Sequence, residues 1–226
     1  MVILALDTSG RHGSVALGRG DARSFELLGL SSLEGGTYSA RLIPAISDLL
    51  HSAGSTKSQI DGLVVVDGPG SFTGLRVGLS TVKALCEILE KPLATVSMLE
   101  ALAISCGNEG ETVTAVLDAG RGEVYVGEYR VGLECATLVE QSIEKRDAFV
   151  QRTQSIQSRI VTTFPKLAGA LAASSARATT IDALEADAIA QIGLRKLLCG
   201  NTTDPATLDA NYIRRSDAEL FSLPKH

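Results

Sequence analysis

Residues 63–89 run Leu-Val-Val-Val-Asp-Gly-Pro-Gly-Ser-Phe-Thr-Gly-Leu-Arg-Val-Gly-Leu-Ser-Thr-Val-Lys-Ala-Leu-Cys-Glu-Ile-Leu, and no other stretch restricts the fold so strongly. An apolar strand over Leu63–Val66 enters a glycine-rich turn over Asp67–Gly70, and the turn opens an amphipathic helix over 73–90. Ser71 or Thr73 can cap that helix, because a short side-chain oxygen satisfies free N–H groups of its first turn. Gly68 and Gly70 allow backbone angles that a Cβ forbids, and Pro69 stiffens the bend. A loop of this kind at a helix N-terminus suits an anion. It equally serves as a plain strand-to-helix turn, and no Gly-Lys-Ser/Thr follows to make it a Walker loop.

The helix has two faces to account for. Leu75, Val82, Leu85, Ile88 and Leu89 form the side expected to face its own sheet. Gly74 and Gly78 lie four apart on another side, with Ser71 and Thr81 roughly extending a shallow strip. Small residues at this spacing let a second element approach closely, and that element can belong to this chain or to another.

Two stretches 111 residues apart repeat one pattern. Val2–Leu6, Asp7-Thr8-Ser9-Gly10-Arg11-His12-Gly13 and Ser14–Leu17 read as strand, turn, strand. Val113–Leu117, Asp118-Ala119-Gly120-Arg121-Gly122 and Glu123–Tyr129 read the same way. Between them, Leu42, Ile43, Ile46, Leu49 and Leu50 mark a helix with Pro44 expected in its first turn. A strand over Leu93–Val96 and a helix over Leu99–Ser105 follow. Later helices are expected around Ala168–Ala173 and from Asp182 to Leu197, the latter opened by an Asp182/Glu185 capping box and stopped at Gly200. Strands alternating with helices in two related halves imply an α/β protein of two lobes, 1–107 and 108–226, with a tail that packs back on the body.

Gly-Pro-Gly-Ser-Phe-Thr-Gly-Leu-Arg-Val-Gly at 68–78 resembles the signature of the TsaB (YeaZ) family, bacterial proteins required for threonylcarbamoyladenosine in tRNA. The resemblance extends to Ile3–Ser9, to Leu117-Asp118-Ala119-Gly120-Arg121-Gly122-Glu123-Val124-Tyr125 and to Asn211-Tyr212-Ile213-Arg214-Arg215. It is weakest between about 135 and 180. It departs from the family pattern at Tyr38-Ser39, where a His-Ser pair is usual, at Gly120, where an arginine is usual, and in the lead to Tyr212. The resemblance implies an actin-like ATPase (ASKHA) fold of two RNase H-like subdomains, with mixed sheets flanked by helices.

The family further implies a non-catalytic scaffold. It would support transfer of a threonylcarbamoyl group to the adenosine beside the anticodon of tRNAs reading ANN codons. The partners implied are the catalytic subunit TsaD and the ATPase TsaE, with a homodimer when the chain is alone and tRNA met only through the complex. The expected docking face comprises Leu42, Ile46, Thr73, Gly74, Leu75, Gly78, Leu79 and Val82. A bulky residue at Gly78 is then expected to weaken docking and leave the lobe folded.

In this superfamily Asp7, with Thr8, and Asp118 would stand in an interlobe cleft that holds a metal–nucleotide complex. No cofactor is expected to be required, with room for weak ATP, ADP or Mg²⁺ binding there. Each aspartate can also do no more than cap its own turn. After Gly132 only Gly169, Gly193 and Gly200 occur, so the paired-glycine adenosine loop of related kinases has no counterpart. The histidines are His12, His51 and His226, which share no metal-ligand spacing. The His-x-x-x-His pair of TsaD falls here on Met98 and Leu102, which are not ligands. Ser71 and Ser97 lack a recognisable histidine partner. Arg11, Arg76 and Arg121 can meet phosphate or solvent, and Glu123 and Tyr125 suit structural places on one strand face. The rival class is a small-substrate kinase or ATPase built on Asp7, Asp118 and the Gly68–Gly74 loop.

The net charge of −5 argues against unaided nucleic-acid binding. Cys86, Cys106, Cys135 and Cys199 are widely spaced, as reduced thiols would be. With no long apolar run and no leader pattern, the sequence implies a cytoplasmic protein with no membrane segment.

Overall fold

The computed structural model of the protein describes residues 1–133, 135–173, 177–211 and 213. Two five-stranded mixed sheets carry the architecture. In the first, β1 (Val2–Asp7), β2 (His12–Gly20) and β3 (Phe25–Glu34) form an antiparallel meander, and β4 (Gly62–Gly68) and β5 (Leu93–Ser97) run parallel to β1. The order is β3-β2-β1-β4-β5. In the second, β6 (Thr112–Gly120), β7 (Glu123–Val131) and β8 (Ala136–Lys145) repeat the meander. There β9 (Arg159–Thr162) runs parallel to β6, and β10 (Ala178–Thr180) parallel to β9. The second order, β10-β9-β6-β7-β8, is the first one read backwards, so the duplicated hairpins seed duplicated sheets.

Central strands buried on both sides read as unbroken apolar runs. In β1 the alternate residues Leu4 and Leu6 face the helices α1 (Tyr38–Ser52) and α2 (Phe72–Leu89). Ile3 and Ala5 face the opposite layer, where α6 (Ala186–Leu198) and part of α3 (Met98–Cys106) lie. The second sheet packs Val113, Ala115, Tyr129 and Val131 on α3. Its other face holds α4 (Arg146–Arg152) and α5 (Pro165–Ala173) around Phe149, Leu167 and Leu171. Helix α3 is apolar nearly all round because it is buried between the sheets, with Met98 and Ala101 toward one and Leu99, Leu102 and Ala103 toward the other.

The part of the chain expected as one lobe over 108–226 is shared. Residues 112–180 build the second sheet, whereas Ile189, Ala190, Leu194 and Leu197 of α6 close the first sheet's core, as do Leu208 and Ala210.

Three local expectations are corrected. Pro44 lies inside α1, not in its first turn. Pro44 has no N–H to give the Ala40 carbonyl, and both residues are exposed. The last helix starts at Ala186, not Asp182, and its cap comes from Ser14 Oγ, which accepts the Ala186 N–H at 2.8 Å. Ile88 is 68% exposed and does not join the core-facing side of α2, where Leu75, Leu79, Val82 and Cys86 are buried.

Candidate functional site

The Gly-rich turn is held from two directions. On one side Ser71 caps α2, accepting the Gly74 N–H at 3.3 Å, and the Ser71 N–H donates to the Ser9 carbonyl at 2.7 Å. On the other, the Asn211 N–H donates to the Asp67 carbonyl at 2.8 Å. Gly68 has φ +138°, and a Cβ there would stand 2.8 Å from the Asn211 carbonyl oxygen, so both backbone angle and space demand glycine.

The turn after β1 folds over the start of α2. Thr8, buried, donates from Oγ1 to the Gly74 carbonyl at 2.8 Å. A Cβ on Gly74 or Gly78 would overlap Thr8, so the small-residue strip on α2 is occupied by this chain's own hairpin. Of the expected docking face, Leu42, Ile46, Gly74, Leu75, Gly78, Leu79 and Val82 are buried in the first lobe, and only Thr73 is exposed. The correction has a plain cause: helical spacing shows that a face is small and apolar, not which neighbour fills it.

Asp7 ends β1 in the buried interior, and its Oδ1 accepts both the Ser9 N–H at 2.8 Å and the Ser9 hydroxyl at 2.7 Å. Burial raises its pKa above the ordinary carboxylate value, against the pull of those Ser9 bonds. Tyr38 donates to the Gly10 carbonyl at 2.9 Å and fixes the same turn. Burial, and secondarily the Asp7 charge, pushes the Tyr38 phenol up to about 12.

Between the lobes lies a cleft of 690 Å³ whose walls include Ser9–His12, Glu34–Gly36, Gly70, Ser71, Asp118 and Tyr125. The two hairpin aspartates are not a converging pair: Asp118 lines the cleft, whereas Asp7 and Thr8 lie behind its wall. Asp118 Oδ1 accepts the Gly120 N–H at 3.1 Å, capping its own turn as Asp7 does. Gly120 takes φ +70° there, a backbone angle that favours glycine. Among the described residues no three His, Cys, Asp or Glu side chains gather as metal ligands. This geometry does not fit a metal–nucleotide complex held by both aspartates.

The remaining sequence candidates take structural places. Met98 and Leu102 are core residues, Ser97 Oγ accepts the Tyr129 hydroxyl at 3.3 Å, and Glu123 accepts from Lys145 at 2.9 Å. Arg76 stacks over Phe72 at 3.9 Å, and Arg11 lines the cleft. All four cysteines are free thiols. Ile213 packs beside the second core, whereas Tyr212, Arg214, Arg215 and Phe221 lie outside the described residues. Sequence reasoning missed Ser14, and the pocket around Asp67 described below.

The family model "TsaD: tRNA N6-adenosine threonylcarbamoyltransferase" matches residues 33–197. A Bacillus subtilis protein named tRNA threonylcarbamoyladenosine biosynthesis protein TsaB is 34% identical over 149 residues, 65% of this chain and 64% of that protein. The Escherichia coli protein of the same name is 36% identical over 58% of this chain and 55% of that one. The matches thus span a little over half the length of these relatives. The solved structure of YeaZ from Pseudomonas aeruginosa superposes with a TM-score of 0.71 at 24% identity, over 93% of this chain and 100% of that one. The two duplicated mixed sheets flanked by helices are therefore the actin-like ATPase (RNase H-like) fold. The family model spans most of the chain, so the chain belongs to the family described as TsaD: tRNA N6-adenosine threonylcarbamoyltransferase, and within it the chain is similar to proteins named TsaB and YeaZ.

Proposed function

We propose that this chain is a non-catalytic partner in threonylcarbamoyladenosine formation on tRNA, acting by holding a TsaD-type transferase subunit in a productive arrangement. One observation carries the reading. The polar groups at the places where this fold does chemistry are spent on the chain's own turns: Asp7 on Ser9, Asp118 on Gly120 and Thr8 on Gly74. A protein that keeps two lobes but commits both hairpin aspartates to its own turns is suited to presenting surfaces.

The docking face is the outer side of the first-lobe helices. Ile43 on α1 is 56% exposed, and Phe72 at the start of α2 is 43% exposed with Arg76 stacked on it. Thr73 stands beside them on α2, the one exposed member of the set that the sequence pointed to. Aromatic and arginine side chains of this kind dominate binding energy where they become fully covered. The buried members, Leu75, Leu79 and Val82, shape this surface from beneath. With a net charge of −5, the chain contributes to the assembly through protein contacts and leaves tRNA to its partners.

The test is reconstitution of threonylcarbamoyl transfer to tRNA from a TsaD-type subunit, a TsaE-type ATPase and the synthase, with and without this chain. Transfer that depends on the chain, with no turnover by the chain alone, supports the scaffold role. Equal transfer in its absence overturns it.

A further inference from the structure

A smaller cavity, of 230 Å³, opens where the ends of β4 and β5 meet α3, α6, the second sheet and the segment at Asn211. Its charged groups are Asp67, Glu100 and Lys196. Glu100 and Lys196 pair at 2.6 Å, both nearly buried, and Lys196 spends a second N–H on the Thr95 carbonyl at 3.0 Å. Their charges cancel, so among the described residues that line the cavity Asp67 carries one surplus negative charge.

Two oxygens in this cavity lack donors. Asp67 Oδ1 from the first sheet and Gln141 Oε1 from the second are buried, and among the described residues neither has a hydrogen-bond partner. Asn211 holds the two residues at one place, giving its N–H to the Asp67 carbonyl at 2.8 Å and accepting from Gln141 Nε2 at 3.4 Å. The Tyr129 hydroxyl does not serve them, because it donates to Ser97 Oγ. A buried acceptor without a donor costs free energy, and a buried charge without a counter-charge costs more. Both costs fall on residues that line one cavity, where Lys196 and the Thr95 hydroxyl offset the Asp67 charge only in part, and a small cation there would lower both.

The donor chemistry narrows the occupant. A carboxylate oxygen, an amide oxygen and the nearby hydroxyls of Thr95 and Ser97 form an all-oxygen set suited to a hard cation. One surplus charge matches a single positive charge. A divalent ion would be left under-neutralised, and no group of three His, Cys, Asp or Glu ligands lies among the described residues. We propose that this cavity is a monovalent-cation site, taking potassium, sodium or ammonium between Asp67 Oδ1 and Gln141 Oε1 and so tying the two sheets together. Burial lifts the Asp67 carboxyl to about 6, followed by the opposed charges of Lys196 and Glu100.

The experiment compares melting temperatures of the full chain in potassium, sodium, ammonium and choline chlorides at equal ionic strength, well above pH 6. At least one small cation should raise the melting temperature over choline by roughly 2–4 °C, the scale of a one-site ligand on a chain of this size. A rise with ammonium alone marks a hydrogen-bonding cation, and a rise with potassium or sodium marks a metal ion; either supports the site. Asp67→Asn should abolish the response, since its amide can donate to Gln141 directly. Equal melting in all four salts overturns the proposal, as does a variant that responds like its parent. Should Asp67→Asn fail to fold, thallium soaked into crystals of the parent decides: anomalous density between Asp67 and Gln141 supports the site, and none there overturns it.

Discussion

Thr8 Oγ1 donates to the Gly74 carbonyl at 2.8 Å, fastening the turn after β1 to the first turn of α2. One helical turn on, Gly78 lies under the same Thr8 side chain. Gly78→Leu should therefore destabilise the first lobe itself, by about 1–3 kcal/mol or more, the usual cost of overpacking. Phe72→Ala and Arg76→Ala touch the exposed side and should stay within about 0.5 kcal/mol of the parent while weakening capture of a TsaD-type subunit. Urea denaturation beside pull-down separates the two effects. A Gly78→Leu protein of undiminished stability would mean that the strip is free after all.

The acid limb of stability should report Asp67. Its folded-state pKa of about 6 lies above the ordinary carboxylate value of 3.8, so the native state binds the extra proton between those values. Stability from this group is fully present below about 3.8 and falls as pH rises to about 6. In choline buffers Asp67→Asn should flatten that slope and leave the protein on the order of 2–3 kcal/mol more stable than its parent above the window. Glu100, Lys196, Tyr129 and Cys135 line the same cavity and remain in the variant. Asp7, raised in the same direction by burial, should leave a residual slope of the same sign. Chemical denaturation across the pH range measures both; an unchanged slope in Asp67→Asn would remove Asp67 from the account.

Lys196→Met isolates the Glu100 carboxylate, whose side chain is only 6% exposed. Breaking a buried pair from one side should cost about 3–5 kcal/mol, because the remaining charge has no compensation. The double variant Glu100→Gln/Lys196→Met should cost distinctly less than the sum of the single changes. A double-mutant cycle in urea gives the coupling energy, and simple additivity would show that the pair is not coupled.

Local signals carried the first half of the fold. Val2–Leu6 and Val113–Leu117 are apolar runs ended by an aspartate and a glycine turn, and both became central strands. Ser71 announced α2 because its capping partner is only three residues away. The start of α6 was not legible, since Ser14 caps it from 172 residues away. Strands β3 and β8 went unread because each is an edge strand with one wet face, where the alternation blurs. The site divided in the same way. Asp7, Thr8 and Asp118 stood out by their turns, but whether a side chain faces the cleft or the wall depends on tertiary packing. The cavity at Asp67 draws on β4, β5, α3, α6, both sheets and Asn211, so no window of sequence contains it.

The return of α6 to the first sheet also orders the chain in time. Ile3, Ala5, Val64 and Val66 have their cover completed only when Ile189, Ala190 and Leu194 join Met98 and Ala101. During synthesis the opening strands must wait with one apolar side partly bare until residues near 198 leave the ribosome, and the second sheet has its whole length available earlier. The first sheet's core is thus closed after the strands of the second sheet are available.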